Sequence, residues 1–186
     1  VKLETDTNHF GFGEVCTLGS AYLPAYALGV RTGIKEIGNN LIGCDPTNLK
    51  EINIVMDKSL KGHPYVKSPI DMACWDLFGK FSNLPVWKLL GGKFGENIDL
   101  YRAISQEDSN IMSKKVKQYK NEGYKKFQLK VGGDPLDDIN RIIEVRSILD
   151  SKDILVADAN TGWLMHDALK VIKQTQHLDV YYEQPC

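Results

Sequence analysis

The chain has 186 residues, 42% hydrophobic and 25% charged, with 23 Lys+Arg against 24 Asp+Glu and a net charge of -1. That is the composition of an ordinary globular protein able to bury a sizeable core, and without a basic excess neither nucleic acid nor an anionic membrane is expected as a partner. Cys16, Cys44, Cys74 and Cys186 form no C-x-x-C pair, which argues against a zinc knuckle or a small disulfide scaffold and for a reduced, cytoplasmic setting.

No apolar run approaches the roughly 18 residues of a membrane span, and no signal-peptide order opens the chain. It begins without Met on Val1-Lys2-Leu3-Glu4, inside a plausible strand, and closes on Tyr181-Tyr182-Glu183-Gln184-Pro185-Cys186 just after another. A piece of a longer protein is therefore expected, with a domain boundary near Gly91-Gly92 separating 1–92 from 93–186.

In the first region, His9 to Val15 reads as a strand with a glycine turn, and an Ala- and Leu-rich helix is expected from about Leu23 to Gly38. A further helix is expected to start with Ser68 as its N-cap and Pro69 at its first position. Its inner face would be Ile70, Ala73, Cys74, Leu77 and Phe78, and it would end near Gly79 and Leu84-Pro85. Trp75 and Trp87 are expected in the core, and His9, His63, His166 and His177 have no partner at ligand spacing.

From Ile98 a unit repeats. Apolar runs at Ile98 to Ile104, Phe127 to Val131, Ile154 to Ala157 and Val180 to Tyr182 alternate with stretches of helical period, Ile111-Met112-Val116-Tyr119 and Leu136-Ile139-Ile143. Gly123 falls where a helix C-cap residue belongs, and Asp134-Pro135 gives the next helix a cap followed by proline. Such β-α-β-α order implies an α/β fold on a parallel sheet, either doubly wound or closed as a (β/α) barrel.

Polar residues interrupt this pattern at equivalent places. Lys130 sits in Phe127-Gln128-Leu129-Lys130-Val131, Asp158 closes Ile154 to Ala157, and Glu183 closes Val180 to Tyr182. The spacings, 28 and 25 residues, each match one βα unit, so the three side chains would emerge on one rim at the C-terminal ends of neighbouring strands. Singly, a strand-end acid is more often a helix cap or a surface charge, and a lone lysine is more often solvated. Together, two carboxylates suit a hard cation such as Mg²⁺, and a lysine beside a bound cation has its ammonium form disfavoured, which fits it to act as a base. The chemistry indicated is removal of a proton next to a carboxylate, with the ion stabilising the enediolate.

The strings Ser68-Pro69-Ile70-Asp71-Met72-Ala73-Cys74-Trp75-Asp76, Leu89-Leu90-Gly91-Gly92, Asp158-Ala159-Asn160-Thr161-Gly162-Trp163 and Tyr182-Glu183-Gln184-Pro185 resemble the mandelate racemase/muconate lactonizing group of the enolase superfamily, in its order and over nearly the whole chain. The resemblance implies part of an α+β capping domain over 1–92 and, over 93–186, the first four strands of a modified TIM barrel. It also implies Asp158 and Glu183 as ligands of a divalent metal, Mg²⁺, with Lys130 as the acid/base on one side of the substrate's α-carbon, and it places Gln128 and Asn160 toward the substrate. Gln128 departs from the Lys-x-Lys pair of many relatives.

With Leu18 to Tyr26, Tyr101 to Gln106 and Phe127 to Gly133, that departure resembles the branch acting on proline-type amino acids. Dehydration of cis-3-hydroxy-L-proline is the expectation, and racemisation or epimerisation of proline-type amino acids or betaines is the alternative. The third metal ligand and a second acid/base are expected outside these residues, so the chain alone is expected to be inactive, its open strand edge prone to self-association and its parent a homo-oligomer. Two other classes stand beside this reading. One is a non-catalytic half-barrel or degenerate binding protein, separable by divalent-metal binding of a full-length version; the other is a doubly wound nucleotide-binding domain, for which the chain lacks both G-x-G-x-x-G and G-x-x-x-x-G-K-[ST].

Overall fold

A computed structural model describes all residues from Val1 to Cys186. The backbone forms two separate units, Val1–Glu96 and Asn97–Cys186.

In the first unit, strands β1 (Lys2–Glu4) and β2 (Phe10–Phe12) pair antiparallel, with Leu3 opposite Gly11. Helices α1 (Ala27–Gly38), α2 (Leu49–Ser59), α3 (Pro64–Ser82) and the single turn α4 (Val86–Leu89) follow. Ile37 from α1, Ile52 and Met56 from α2, and Val66, Ile70 and Cys74 from α3 form one buried cluster. The hairpin lies directly against α3 because two glycines remove the obstacle: a Cβ on Gly11 would overlap the Ala73 carbonyl, and one on Gly13 the Pro69 carbonyl. The Phe12 amide then donates to Asp76 Oδ2 at 2.8 Å.

Several expectations for this unit are corrected. Helix α3 starts at Pro64, after a left-handed His63, so Ser68 is not its cap and Pro69 lies inside it. His63-Pro64 and Ser68-Pro69 both offer a residue followed by proline, and the buried Val66 extends the apolar stripe back to the earlier pair. Gly79 is likewise inside α3, which ends at a left-handed Asn83. Helix α1 starts at Ala27 rather than Leu23, as the restriction a proline places on its predecessor explains for Leu23-Pro24. Trp87 is exposed, with the Lys93 ammonium 4.9 Å from its ring centre, and Trp75 is only half-buried.

The second unit is a four-stranded parallel sheet in the order β3 (Arg102–Ile104), β4 (Lys126–Lys130), β5 (Ile154–Asp158) and β6 (Tyr181–Glu183). Helices α5 (Ser109–Asn121), α6 (Pro135–Ser147) and α7 (Met165–Thr175) connect them. Sequential order with helical crossovers is the arrangement of consecutive (β/α) units, and the sheet stays open at β3 and β6. Asp134 caps α6 through the amides of Leu136 and Asp137, with Pro135 at the first position, and Gly123 follows α5 at φ +98°, both as expected. Strand β3 is shorter than its apolar run, since residues 98–101 are not strand.

Side chains alternate across each strand. Phe127, Leu129, Leu155 and Ala157 are at most 1% exposed and belong to one cluster with Met112 and Val116 of α5, Ile139, Ile142 and Val145 of α6, and Ala168 and Val171 of α7. The alternate positions, Gln128, Lys130, Val156 and Tyr181, lie on the opposite face and remain partly or largely exposed. The strand register therefore gives the sheet one face packed on helices and one face that carries the polar groups.

Candidate functional site

Register brings the polar groups together. Lys130 pairs with Asp158, and Asp158 with Glu183, so one row across β4, β5 and β6 holds an ammonium and two carboxylates on the same face. The Asp158 side chain is 1% exposed, and a carboxylate so buried requires compensation. Lys130 Nζ donates to Asp158 Oδ2 at 2.5 Å and to Asn160 Oδ1 at 3.1 Å, while the Asn160 amide donates to Asp158 Oδ1 at 2.9 Å. Two residues before Lys130, Gln128 Nε2 donates to Glu183 Oε2 at 2.8 Å. All five residues singled out from sequence, Gln128, Lys130, Asp158, Asn160 and Glu183, thus stand in two linked hydrogen-bonded groups at one rim.

The backbone after these strands is held in an uncommon state. Asn160, Thr161 and Gln184 have φ of 45°, 62° and 43°. For Thr161, β-branched, this is a strained conformation costing on the order of 1–3 kcal/mol. It is over-determined by neighbours: the Thr161 amide donates to the Gln184 carbonyl at 2.7 Å, the Ala159 amide to the Glu183 carbonyl at 3.1 Å, and Asn160 Nδ2 to Gln184 Oε1 at 3.3 Å. The Asn160 side chain is held between Lys130 and Gln184 by its own hydrogen bonds.

No three His, Cys, Asp or Glu side chains converge into a ready metal cage. The pair present nevertheless has the right chemistry for a hard cation: two carboxylates on adjacent strand ends, one buried and already holding positive charge through Lys130. Mg²⁺ takes one or two carboxylates and completes its shell with water and substrate oxygens.

Asp138, on α6, bonds the turns that follow β4 and β5, and the sequence alone did not single it out. It is fully buried and accepts from the Gly132 and Gly133 amides, from Trp163 Nε1 and from Arg141. Its position after Asp137 in the first turns of a helix looks like ordinary dipole matching, which masked it. The one available signal was that Asp134 already fills the cap.

Two family models match the chain: the mandelate racemase/muconate lactonizing enzyme N-terminal domain over residues 1–91, and the enolase C-terminal domain-like model over 112–186. The chain belongs to the mandelate racemase/muconate lactonizing group of the enolase superfamily. Its fold is accordingly that of a capping-domain portion followed by the first four strands of a modified (β/α) barrel.

Among similar members of this superfamily, the cis-3-hydroxy-L-proline dehydratase of Roseibium aggregatum is 59% identical over the whole chain, which covers 51% of that protein. The N-succinyl-L-Arg/Lys racemase of Bacillus cereus is 31% identical over the whole chain, again covering 51% of the relative. A solved enolase superfamily member from Roseovarius nubinhibens ISM, complexed with magnesium, superposes with a TM-score of 0.93 at 39% identity, over 100% of this chain and 50% of that one. The chain thus spans about half the length of the curated relatives it matches.

Proposed function

We propose that the Lys130–Asp158–Glu183 rim belongs to a Mg²⁺-dependent enzyme that removes the proton α to a carboxylate and dehydrates cis-3-hydroxy-L-proline. The observation that carries this reading is the register row of one lysine and two carboxylates on the sheet face away from the helices. The 59% identity to a cis-3-hydroxy-L-proline dehydratase supports the substrate.

Asp158 and Glu183 would hold the cation, which when bound offsets the negative charge that grows on the substrate carboxylate as the α-proton leaves. Lys130 takes that proton at Nζ. Its hydrogen bonds to Asp158 and Asn160 aim the nitrogen along the rim, the positioning that a general base needs before its basicity matters. Gln128 presents a neutral amide next to Glu183, so no second ammonium competes for the carboxylate at that point. The electron pair left at Cα then expels the 3-hydroxyl, which departs as water on a proton drawn from solvent while Lys130 gives up its own to solvent, and the enamine tautomerises to a cyclic imine.

Epimerisation is the second reading, favoured by the racemase of Bacillus cereus and by the dipeptide epimerase of Enterococcus faecalis, both 31% identical. The two share proton removal and differ afterwards. The test uses protein expressed from its natural gene, incubated with cis-3-hydroxy-L-proline and Mg²⁺ in D₂O. Imine formation that stops with chelator or in Lys130→Met supports dehydration. Deuterium at Cα with inverted configuration and no imine supports epimerisation, and neither product with any proline-type substrate contradicts both.

A further inference from the structure

We infer that Asp138 is a positioning residue for the rim: a buried carboxylate on α6 that locks together the turns following three consecutive strands and so fixes how Lys130 meets Asp158 and Asn160. The inference deepens the function proposed above and rests on it for its catalytic meaning, while its geometry stands alone.

Asp138 is 0% exposed and uses both oxygens. Oδ2 accepts from the Gly132 amide at 2.9 Å, the Gly133 amide at 2.8 Å and Trp163 Nε1 at 2.9 Å; Oδ1 accepts from Arg141 at 2.7 Å. Arg141 Nε donates in turn to the Glu107 carbonyl at 2.8 Å. Gly132 and Gly133 follow β4 directly after Lys130-Val131, Trp163 follows β5 three residues after Asn160, and Glu107 follows β3. One carboxylate and its arginine therefore touch all three turns.

The turns are also pressed backbone to backbone. A Cβ on Gly132, at φ +100°, would overlap the Ala159 carbonyl, and a Cβ on Gly162 would crowd the Gly132 carbonyl. The Val131 amide completes the seam by donating to the Asp158 carbonyl at 2.9 Å. Helix capping does not account for Asp138, because Asp134 performs it. Nor is net stabilisation of the fold a sufficient reason for a buried ion pair, which packed apolar groups often match or exceed. What an apolar residue could not do is accept four donors at fixed distances, two from the turn after β4, one from the turn after β5 and one from Arg141 on its own helix, which places the strand ends to the tolerance that catalytic geometry demands.

The test compares the wild-type chain with Asp138→Asn and with Trp163→Phe, which keeps an aromatic ring but removes one donor and so guards against a variant that fails to fold. Amide hydrogen exchange and the Asn160 side-chain amide resonances are followed by NMR. The expected result is exchange at Gly132 and Gly133 at least about tenfold faster in Asp138→Asn, with shifted Asn160 resonances in both variants and the amides of Leu129 and Ala157 protected as before. Equal acceleration at Leu129 and Ala157, or unmoved Asn160 resonances, would mean a role in stability alone and would overturn the inference. Mg²⁺ titration of the same variants in the protein expressed from its natural gene should show affinity weakened by roughly tenfold in Asp138→Asn, and an unchanged midpoint also overturns it. No Mg²⁺ response in the wild-type protein expressed from its natural gene would instead count against the proposed function, leaving the exchange pattern to decide the role of Asp138.

Discussion

The two faces of the parallel sheet obey different rules. On the helix side, Phe127, Leu129, Leu155 and Ala157 are almost completely buried against α5, α6 and α7. On the other side, at alternate positions of the same strands, stand Gln128, Lys130, Asp158 and Glu183, together with Ile154 and Tyr181 at 37% and 63% exposure. The packed core lies on the first face and the polar groups of the proposed site on the second, and the period-2 alternation of a strand lets one short segment serve both. The two ends of the sheet divide in the same way. The rim holds strained turns and the Lys130–Asp158 pair, whereas the opposite end is fastened by Lys120, which bonds Asp150 at 3.0 Å and Asp153 at 2.8 Å.

The largest effects should come from the helix-facing side. Leu129→Ala or Ile142→Ala empties a fully buried position and should lower unfolding free energy by roughly 2–5 kcal/mol in urea titrations; a loss under about 1 kcal/mol would show that the cluster is not the core of this unit. Next comes the rim. Lys130→Met leaves the Asp158 carboxylate buried without its cation and should cost about 3 kcal/mol, whereas Lys130→Met combined with Asp158→Leu should recover most of that loss. Recovery would show that the pair is kept for chemistry, and a double variant as unstable as the single one would show that it holds the fold.

The far end should respond to pH. Burial alone would push the Asp153 carboxyl up, but the bonds from Lys120 and from the Asp150 amide outweigh it and hold it below the usual carboxylate range. Lys120 is raised, chiefly by its bond to Asp153. A depressed carboxyl contributes stability in full above its unfolded value near ~3.9 and loses it as pH falls toward the folded value; a raised lysine contributes in full below ~10.4 and loses it as pH rises through its folded value. Melting temperature should therefore hold between these limits and fall outside them. Asp153→Asn should flatten the acid limb and lower the plateau by about 1–2 kcal/mol, and an unaltered acid limb would remove Asp153 from the account of that end. The smallest effect is expected for Gln128→Ala, within about 0.5 kcal/mol in the same urea titration, because its bond to Glu183 lies on the exposed face; a loss comparable to Leu129→Ala would erase the distinction between faces.

Much of this division was legible in the sequence. The alternation of Phe127-Gln128-Leu129-Lys130 gave the strand and its two faces, and the near-equal spacing of Lys130, Asp158 and Glu183 placed them on one rim, because parallel strands joined by similar helices repeat at similar intervals. Local chemistry misled where the stronger signal lost, as with Ser68-Pro69 against His63-Pro64, and the packing of Val66 decides for the earlier proline. Asp138 was not legible because its partners, two backbone amides and a tryptophan 25 residues away, carry no charge pattern that a linear reading detects. Nor did anything local show that Trp163 would be buried and Trp87 exposed.

The most direct test is to titrate the protein expressed from its natural gene with Mn²⁺, as a paramagnetic stand-in for Mg²⁺, and map which amides broaden. Broadening centred on Val131, Ala159, Asn160 and Gln184, reversed by excess Mg²⁺ and abolished by Asp158→Asn, is the result expected if the rim holds the cation. Broadening centred elsewhere, or unaffected by Asp158→Asn, would contradict the assignment of Asp158 and Glu183 and the proton-abstraction chemistry built on it.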